Sequence, residues 1–341
     1  MSRDARAFIC GCKGISLTTD ERAFIARHAP WGLILFKRNV SSENQLIEIT
    51  SEFRSVVGRA DAPVLIDQEG GRVQRMGPPH WPAYPAAIKF NQNLKSKLTE
   101  RVALAGLAAR RMALDLRSAG INVDCLPVLD VPAPEGHGVI GDRAYGDDPA
   151  TVAAFGRAVA DGMMAVGVLP VMKHIPGHGR ARADSHLELP VVDTDRATLE
   201  AVDFAPFRAL ADLPLAMSAH VIYSAIDAAR PATVSPMVIG DIVRGHIGFD
   251  GLLMTDDLSM KALSGSFAER AEAAFAAGID MALHCNGDLA EAEAVASATP
   301  MLDGKRLERA EKALALLARP VEAIDPVDAL RRIESGLAMV G

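Results

Sequence analysis

The sequence predicts an α/β protein folded as one (β/α)8 barrel of the TIM type. Eight short apolar segments recur along the 341 residues, each followed by a polar loop and then by apolar residues at helical spacing. Strands that alternate with helices favour a parallel sheet, and the chain length suits a barrel. Polar or ionisable residues follow nearly every apolar segment, which is typical of the active-site face of a barrel.

The predicted strands are the short apolar or β-branched runs of the chain. In order they are 8–10, 32–36, 63–66, 121–126, 168–172, 214–218, 252–255 and 279–283. The predicted helices include 101–116, 151–166 and 267–277, with closing helices from about residue 287. An open doubly wound sheet is the alternative, but no Gly-x-Gly-x-x-Gly sequence opens a helix after the first strand. Because no linker divides the chain, we predict a single domain over residues 1–341.

Composition narrows the classes of function. A hydrophobic content of 49% allows a substantial core, and the net charge of −7 argues against a nucleic-acid partner. No apolar run approaches a membrane span, and no signal-peptide region precedes the first strand, so we expect no membrane partner. The four cysteines show no CxxC spacing; Cys10 and Cys12 alone are weak evidence for a metal. We expect reduced thiols in a cytoplasmic monomer.

The densest cluster of ionisable residues follows the fifth strand. It contains Lys173, His174, His178, Asp184 and His186 in a loop rich in glycine. Alternate spacing in extended chain puts Asp184 and His186 on one side, where they can touch. A carboxylate favours the protonated imidazole, so such a pair can deliver and recover a proton. A surface pair without function is the alternative.

The histidines of this loop also raise the possibility of a metal site. His174, His178 and His186, with Asp184, offer zinc ligands, so a metal-dependent barrel hydrolase has to be considered. Their spacing matches no common zinc signature, and zinc ligands usually come from rigid positions. We therefore predict no metal.

Two aspartates, Asp256 and Asp257, follow the seventh strand. Successive side chains of a strand point to opposite faces, so at most one of them is expected to face the barrel mouth. The other is available to cap the following helix. The carboxylate at the mouth is a candidate nucleophile, as in retaining glycosidases, or a metal ligand. The residues alone do not decide which aspartate faces the substrate.

Further polar residues near strand ends have the hydrogen-bonding groups that sugar hydroxyls and an amide need. They are Asp67, Arg75, Arg143, Lys173 and His174. Aromatic residues make up only 5% of the chain, which favours a small soluble substrate over a long polysaccharide. For Arg75 and Arg143, a structural salt bridge at the barrel rim is the alternative.

Four segments in chain order resemble family 3 glycoside hydrolases, and among them the compact bacterial β-N-acetylhexosaminidases. They are 67–75 (DQEGGRVQR), 173–179 (KHIPGHG), 184–186 (DSH) and 256–260 (DDLSM). The segment 141–146 (GDRAYG) is similar to the family pattern Asn-Arg-Ala/Ser-Phe-Gly, with Asp142 and Tyr145 as departures. The resemblance covers the chain from the second to the eighth strand.

The resemblance implies a retaining mechanism with a covalent glycosyl-enzyme and no cofactor. Asp256 would be the nucleophile, and His186 the general acid/base, oriented and charged by Asp184. The terminal N-acetylglucosamine would be bound by Asp67, Arg75, Arg143, Lys173 and His174. We expect His186 to swing into the site only when substrate is bound, because a glycine-rich loop can move. We also expect phosphate to compete with water, because a neutral imidazole repels an anion less than a glutamate.

The substrate implied by the resemblance is a small glycoconjugate with a terminal, non-reducing β-linked N-acetylglucosamine. Muropeptide fragments carrying an anhydro-muramic sugar, met in the cytoplasm during peptidoglycan recycling, are the natural substrates it suggests. Two other classes remain open: the metal-dependent hydrolase and a non-catalytic amino-sugar-binding protein.

Overall fold

Eight parallel strands close into a barrel in a computed structural model, which describes residues 4–92, 95–134, 136, 138–182, 185 and 188–338. The strands are β1 (Arg6–Gly11), β2 (Pro30–Leu35), β3 (Val64–Ile66), β4 (Val123–Asp124), β5 (Leu169–Ile175), β6 (Leu215–Ser218), β7 (Leu252–Asp257) and β8 (Met281–His284). Each strand pairs with its neighbours in sequence, and Cys10 of β1 lies between Leu33 of β2 and His284 of β8. The predicted barrel is confirmed.

Helices follow most of the strands. They are α1 (Thr19–His28), α2 (Glu43–Val56), α3 (Ala87–Gln92), α4 (Leu98–Ser118), α5 (Pro149–Ala165), α6 (Arg196–Thr198), α7 (Ala205–Ala209), α8 (Phe267–Ala277), α9 (Leu289–Ser297), α10 (Gly304–Ala315) and α11 (Pro326–Ala338). Two π-helical segments, Leu199–Asp203 and Val238–His246, accompany them. A two-stranded antiparallel ribbon, Gln68–Gly70 with Val73–Gln74, follows β3. Val191–Val192 pairs in parallel with Ile222–Tyr223.

The ends of several helices are fixed by local chemistry. Ser266 accepts a hydrogen bond from the backbone N–H of Glu269, whose carboxylate accepts one from the backbone N–H of Ser266 in return. This capping box satisfies N–H groups that the first turn of α8 leaves free. In α5, Pro149 occupies the first turn and Asp148 accepts from the backbone N–H of Thr151. The chain therefore turns into a helix soon after it leaves the barrel.

Alternate strand residues supply two different apolar clusters. Ile9 and Val171 belong to one cluster, while Phe8 packs with Phe24 of α1 in another. This alternation separates the barrel interior from the layer between strands and helices. Helix α10 contributes apolar residues to the interior cluster, and its Arg309 binds Asp280, which immediately precedes β8. Helix α10 therefore packs against the amino-terminal ends of the strands.

The fifth strand is longer than predicted and the fourth is shorter. β5 continues past Met172 through Lys173 and His174 to Ile175, because both polar side chains are buried with hydrogen-bonding partners. β4 contains only two residues, since the chain turns where the backbone N–H of Leu126 donates to the carbonyl of Asp124 (2.8 Å).

No helix in the described ranges has the length and apolar character needed to cross a bilayer.

Candidate active site

A cavity of about 160 Å³ opens at the carboxyl ends of the barrel strands. Its walls combine apolar side chains with a cluster of charged ones, contributed by separate parts of the chain. The lining residues are Ile34, Phe36, Asp67, Glu69, Val73, Arg75, Arg143, Lys173, His174, Met217, Asp256, Asp257, Leu283 and Cys285. All five residues predicted to bind the sugar, and the predicted nucleophile, therefore line one cavity.

Five of these side chains form a continuous chain of alternating charge. Lys173 Nζ lies 2.9 Å from Asp67 Oδ1 and 2.7 Å from Glu69 Oε1. Arg75 Nη2 binds the other oxygen of Asp67 at 3.2 Å. Arg143 donates from Nε and Nη2 to the two oxygens of Glu69, both at 2.8 Å. Each of these five charged side chains therefore has at least one opposite charge within hydrogen-bonding distance.

This arrangement keeps the groups ionised despite their burial. Burial opposes ionisation of Asp67, but Lys173 and Arg75 outweigh it, and the pKa of Asp67 is lowered. The pKa of Glu69 is lowered in the same way by Lys173 and Arg143. Burial disfavours the ammonium of Lys173, yet Asp67 and Glu69 raise its pKa above the usual value. The cavity therefore presents fixed charges at neutral pH.

A second buried carboxylate holds His174. Asp130, in the loop after β4, has no measurable exposure and its Oδ2 lies 2.6 Å from His174 Nδ1. Its Oδ1 accepts from the backbone N–H groups of His174 (3.2 Å) and His178 (2.7 Å). Burial raises the pKa of Asp130, but the imidazoles of His174 and His178 and the backbone N–H of His178 lower it overall to about 2. The carboxylate is therefore ionised and fixes both the ring and the backbone of β5's last residues.

The two aspartates that end β7 have different surroundings. Asp256 and Asp257 both line the cavity, although at most one was expected to face the barrel mouth, and Asp256 Oδ1 accepts from the backbone N–H of Asp257 at 2.7 Å. Asp257 accepts from the backbone N–H (3.0 Å) and hydroxyl (2.6 Å) of Ser259 and from the backbone N–H of Cys285 (3.1 Å). The expectation that one aspartate caps the next helix is wrong, because Ser266 caps α8. Asp257 instead joins the turn after β7 to the end of β8.

The proton-transfer pair proposed from the sequence cannot be placed. Asp184 and His186 lie outside the described residues, so their roles stay predictions. The intervening Ser185 is described: its hydroxyl lies 3.3 Å from His178 Nε2 and its carbonyl accepts from the backbone N–H of Ala262 (3.2 Å). Burial lowers the pKa of His178 to about 4, so this ring is neutral at neutral pH.

No group of three metal-ligating side chains occurs within the described ranges. His174 and His178 stand with ring centres 5.7 Å apart, but the third histidine of the zinc alternative, His186, is outside those ranges. Burial is the main cause that raises the pKa of Cys12 to about 12, and burial raises the pKa of Cys10 as well. Both thiols are therefore protonated at neutral pH.

Two other histidines at strand ends do not reach the cavity, contrary to the expectation that these ends converge there. His220, after β6, lies 2.7 Å from the hydroxyl of Thr233 and 3.1 Å from the carbonyl of Asp257. His284, in β8, lies 3.1 Å from Glu291. Both rings are fully buried, so they support the loops around the cavity instead of lining it.

The departures from the family pattern in 141–146 have simple structural explanations. Tyr145 is buried and stacks on Phe155 with ring centres 5.3 Å apart, as a phenylalanine could. Asp142 pairs at the surface with Arg72 at 2.7 Å. Arg143 between them keeps its side chain in the cavity, so the two substitutions leave its position intact.

Reasoning from the sequence missed three residues of the site. Glu69 stands within the segment 67–75, but its position between Lys173 and Arg143 depends on residues distant in the chain. Asp130 follows the fourth strand and lies outside all of the segments that resemble the family, although it holds His174. Phe36 lines the cavity, with the guanidinium of Arg75 5.4 Å from its ring centre. Of these three residues, only Glu69 could have been found from the sequence, because it lies within the segment 67–75.

Comparison with known proteins identifies the family. The model described as the glycosyl hydrolase family 3 N terminal domain matches residues 11–315. A beta-hexosaminidase from Methylococcus capsulatus is 43% identical over 282 residues, which cover 80% of this chain and 80% of that one. The fold and the match together define a barrel glycosidase. The chain belongs to glycosyl hydrolase family 3, and the predicted family is confirmed.

Solved structures of NagZ from Neisseria gonorrhoeae are similar over nearly the whole chain. The complex with N-trifluoroacetyl-D-glucosamine has a TM-score of 0.84 and 30% identity, covering 99% of this chain and 97% of that one. The complex with zinc ion has a TM-score of 0.83 and 28% identity, with the same coverage of both chains.

Proposed function

We propose that this enzyme removes terminal, non-reducing β-linked N-acetylglucosamine from small glycoconjugates with retention of configuration, through a covalent glycosyl-enzyme on Asp256. The observation that carries the proposal is the position of Asp256 at the end of β7, inside one cavity with Asp67, Lys173 and His174. An aspartate close to fixed polar groups is the arrangement that a retaining glycosidase needs for its nucleophile.

The enzyme class itself is established by its relatives. Curated relatives are named beta-hexosaminidase, and solved relatives include NagZ bound to N-trifluoroacetyl-D-glucosamine. The chain is therefore a β-N-acetylhexosaminidase, as predicted. The substrate's aglycone and the steps of the reaction are the parts that we propose.

We assign sugar binding to the charged chain of the cavity. Asp67 accepts hydrogen bonds from sugar hydroxyls, and Lys173 and Arg75 donate to them. Lys173 and Asp67 are already held to each other at 2.9 Å, so these groups lose little freedom when the sugar binds. His174 adds a ring nitrogen to the wall. Arg143, bound by both oxygens of Glu69, contributes a guanidinium at the cavity rim.

In the first step of the proposed mechanism, a carboxylate oxygen of Asp256 forms a bond to the anomeric carbon while the bond to the aglycone oxygen breaks. His186 gives a proton to that oxygen, and Asp184 stabilises the protonated imidazole before transfer. In the second step water attacks the anomeric carbon, His186 takes a proton from it, and the bond to Asp256 breaks. Each step inverts the configuration at the anomeric carbon, so the two steps together retain it.

We further propose muropeptide fragments with an anhydro-muramic sugar as the natural substrates, within peptidoglycan recycling in the cytoplasm. A cavity of about 160 Å³ suits a single sugar more than an extended chain. Among the described lining residues Phe36 is the one phenylalanine, tyrosine or tryptophan, which fits a small substrate better than a polysaccharide groove with several platforms.

Replacement of Asp256 tests the central assignment. D256A should lower kcat on a chromogenic β-N-acetylglucosaminide by at least about 10⁴-fold, the scale on which loss of a covalent nucleophile acts. D161N is a matched control, because Asp161 is an exposed carboxylate on α5. D161N should keep the parent kcat. Substantial turnover by D256A would contradict the assignment.

The role of His186 has its own test. H186A should retain more activity on substrates with good leaving groups than on poor ones, because only the latter need protonation. If H186A and D256A respond identically to the leaving group, the two roles are wrongly assigned. Assays with and without a chelator test the metal-dependent alternative, which predicts loss of activity on chelation.

A further inference from the structure

The two carboxylate oxygens of Asp130 have different hydrogen-bonding partners. Oδ1 accepts from the backbone N–H groups of His174 and His178, whereas Oδ2 faces the Nδ1 edge of the His174 ring at 2.6 Å. Asp130 is fully buried and does not line the cavity, while His174 does. Asp130 therefore reaches the substrate pocket only through His174.

The ionised state of Asp130 decides which nitrogen of His174 carries the proton. A carboxylate can only accept hydrogen bonds, so Nδ1 must be protonated to meet it. In the neutral ring this leaves Nε2 without a proton, as a hydrogen-bond acceptor for the cavity. The opposite tautomer would set two lone pairs against each other at 2.6 Å in a buried place.

We propose that Asp130 is a positioning residue that fixes a proton on Nδ1 of His174, and that Nε2, left without a proton, accepts a hydrogen bond from a hydroxyl of the bound sugar. The proposal rests on the proposed function, since it concerns the same sugar. Through His174, Asp130 makes the cavity select a sugar with a hydroxyl opposite Nε2. A sugar group that cannot donate a hydrogen bond there would leave Nε2 unpaired.

The D130N variant separates this role from a purely structural one. The amide oxygen of asparagine can still accept from the two backbone N–H groups, so the segment around His174 and His178 keeps its anchor. The amide NH2 then faces the ring and can only donate, which forces Nδ1 to be the acceptor and moves the proton to Nε2. D130N should therefore fold, and Nε2 of His174 should donate a hydrogen bond to the cavity instead of accepting one.

Nitrogen-15 NMR of the His174 imidazole reads the tautomer directly, with the signal assigned by its loss in H174Q. The parent protein should show a protonated Nδ1 and an unprotonated Nε2, and D130N the reverse. The kcat/KM for a chromogenic β-N-acetylglucosaminide should fall by roughly 10-fold or more, since one lost hydrogen bond with a mismatched partner is worth about that factor. This fall should appear mainly in KM if the hydroxyl is held equally in ground and transition states.

D280N is the matched control, because Asp280 is another buried aspartate that accepts from a backbone N–H, that of Leu253, and it lies at the opposite end of the barrel. D280N should leave the His174 tautomer unchanged. An unprotonated Nδ1 or a protonated Nε2 in the parent protein, or a reversed tautomer in D130N with unchanged kcat/KM, would overturn the proposal. Because the NMR result does not depend on turnover, a parent enzyme with the expected tautomer but no activity on the glycoside would count against the proposed function alone.

Discussion

At the scale of single residues, the cavity depends on the charge of Lys173. Its side chain is only 2% exposed, and Asp67 and Glu69 face it from a different part of the chain. A buried ion pair is weak evidence for net stabilisation, but removal of one partner takes a favourable interaction from the charges that stay buried. Lys173 therefore matters to stability as well as to substrate binding.

K173M keeps most of the side-chain volume and removes the charge. We expect it to lower the free energy of unfolding by about 3 kcal/mol, because Asp67 and Glu69 would each lose a buried cationic partner and keep only Arg75 and Arg143. K305M is the control, since Lys305 is 60% exposed and lies 3.7 Å from Asp250; that variant should change stability by less than about 1 kcal/mol. Urea unfolding of both variants measures the difference, and equal effects would show that the buried network is not special.

Two aspartates near Lys173 should respond to pH in opposite ways. Burial raises the pKa of Asp124 well above the usual range, and its Oδ2 has no hydrogen-bonding partner among the described residues. Its stabilising contribution is complete below the ordinary carboxyl pKa of about 4 and is lost as pH rises through the higher pKa of the folded state. For Asp67 the folded-state pKa is lowered, so its contribution is present above about pH 4 and is lost as pH falls.

D124N should therefore become more stable relative to the parent protein as pH rises from about 4 to neutral. D67N should show the opposite trend, with its largest deficit near neutral pH. Urea unfolding midpoints measured across that range give both trends. If the stability of both variants relative to the parent changed in the same direction with pH, the pKa values of Asp124 and Asp67 would not be shifted in opposite directions, and this account would be contradicted.

At the scale of secondary-structure elements, helices α4 and α5 approach each other unusually closely. A Cβ added at Gly162 of α5 would lie 2.3 Å from the carbonyl oxygen of Gly106 in α4. That contact is with backbone and cannot be relieved by a rotamer change. The two glycines therefore set the separation of these helices on the outside of the barrel.

G162A should lower the free energy of unfolding by roughly 1–3 kcal/mol, because the helices must move apart to admit one methyl group. G240A is the matched control, since no heavy atom lies within 4 Å of a Cβ at that position. It should be neutral or stabilising by up to about 1 kcal/mol. Thermal or urea unfolding distinguishes the two; equal stability of G162A and the parent would contradict the close packing.

The strands could be predicted because buried parallel strands are continuous apolar runs. Helix α8 was predicted with both of its ends, where Ser266 begins the helix and Gly278 follows it in a left-handed conformation. The end of β5 was not, because Lys173 resembles a loop residue until its partners, over a hundred positions away, are known. The π-helical segment Val238–His246 was also missed, since its buried positions have the spacing of an ordinary amphipathic helix.

For the site, the sequence located six of the lining residues but not how they are held. Asp67, Arg75, Arg143, Lys173, His174 and Asp256 lie at the carboxyl ends of strands or in the loops after them, and a barrel brings such positions together. The contacts of Asp130 with His174 and of Asp257 with Cys285 depend on side-chain directions across the barrel mouth. Periodicity and motif spacing carry no information about those directions.

At the scale of the whole molecule, the two ends of the barrel differ in chemistry. A larger cavity of about 460 Å³ lies at the amino-terminal end, between the starts of β6 and β7 and helix α10. Its charged lining includes Arg309, which is already paired with Asp250 and Asp280 to hold α10 in place. Size therefore does not identify the active site; the cluster of charged groups with Asp256 does.

The most direct test of the account is to trap the proposed glycosyl-enzyme. A ring-fluorinated N-acetylglucosaminyl fluoride slows formation of the oxocarbenium-like transition state, while its good leaving group lets the first step proceed. The intact protein should gain the mass of one sugar, and peptide mapping should place it on Asp256 within residues 254–260. No mass gain, together with release of product of inverted anomeric configuration, would contradict a covalent intermediate on Asp256.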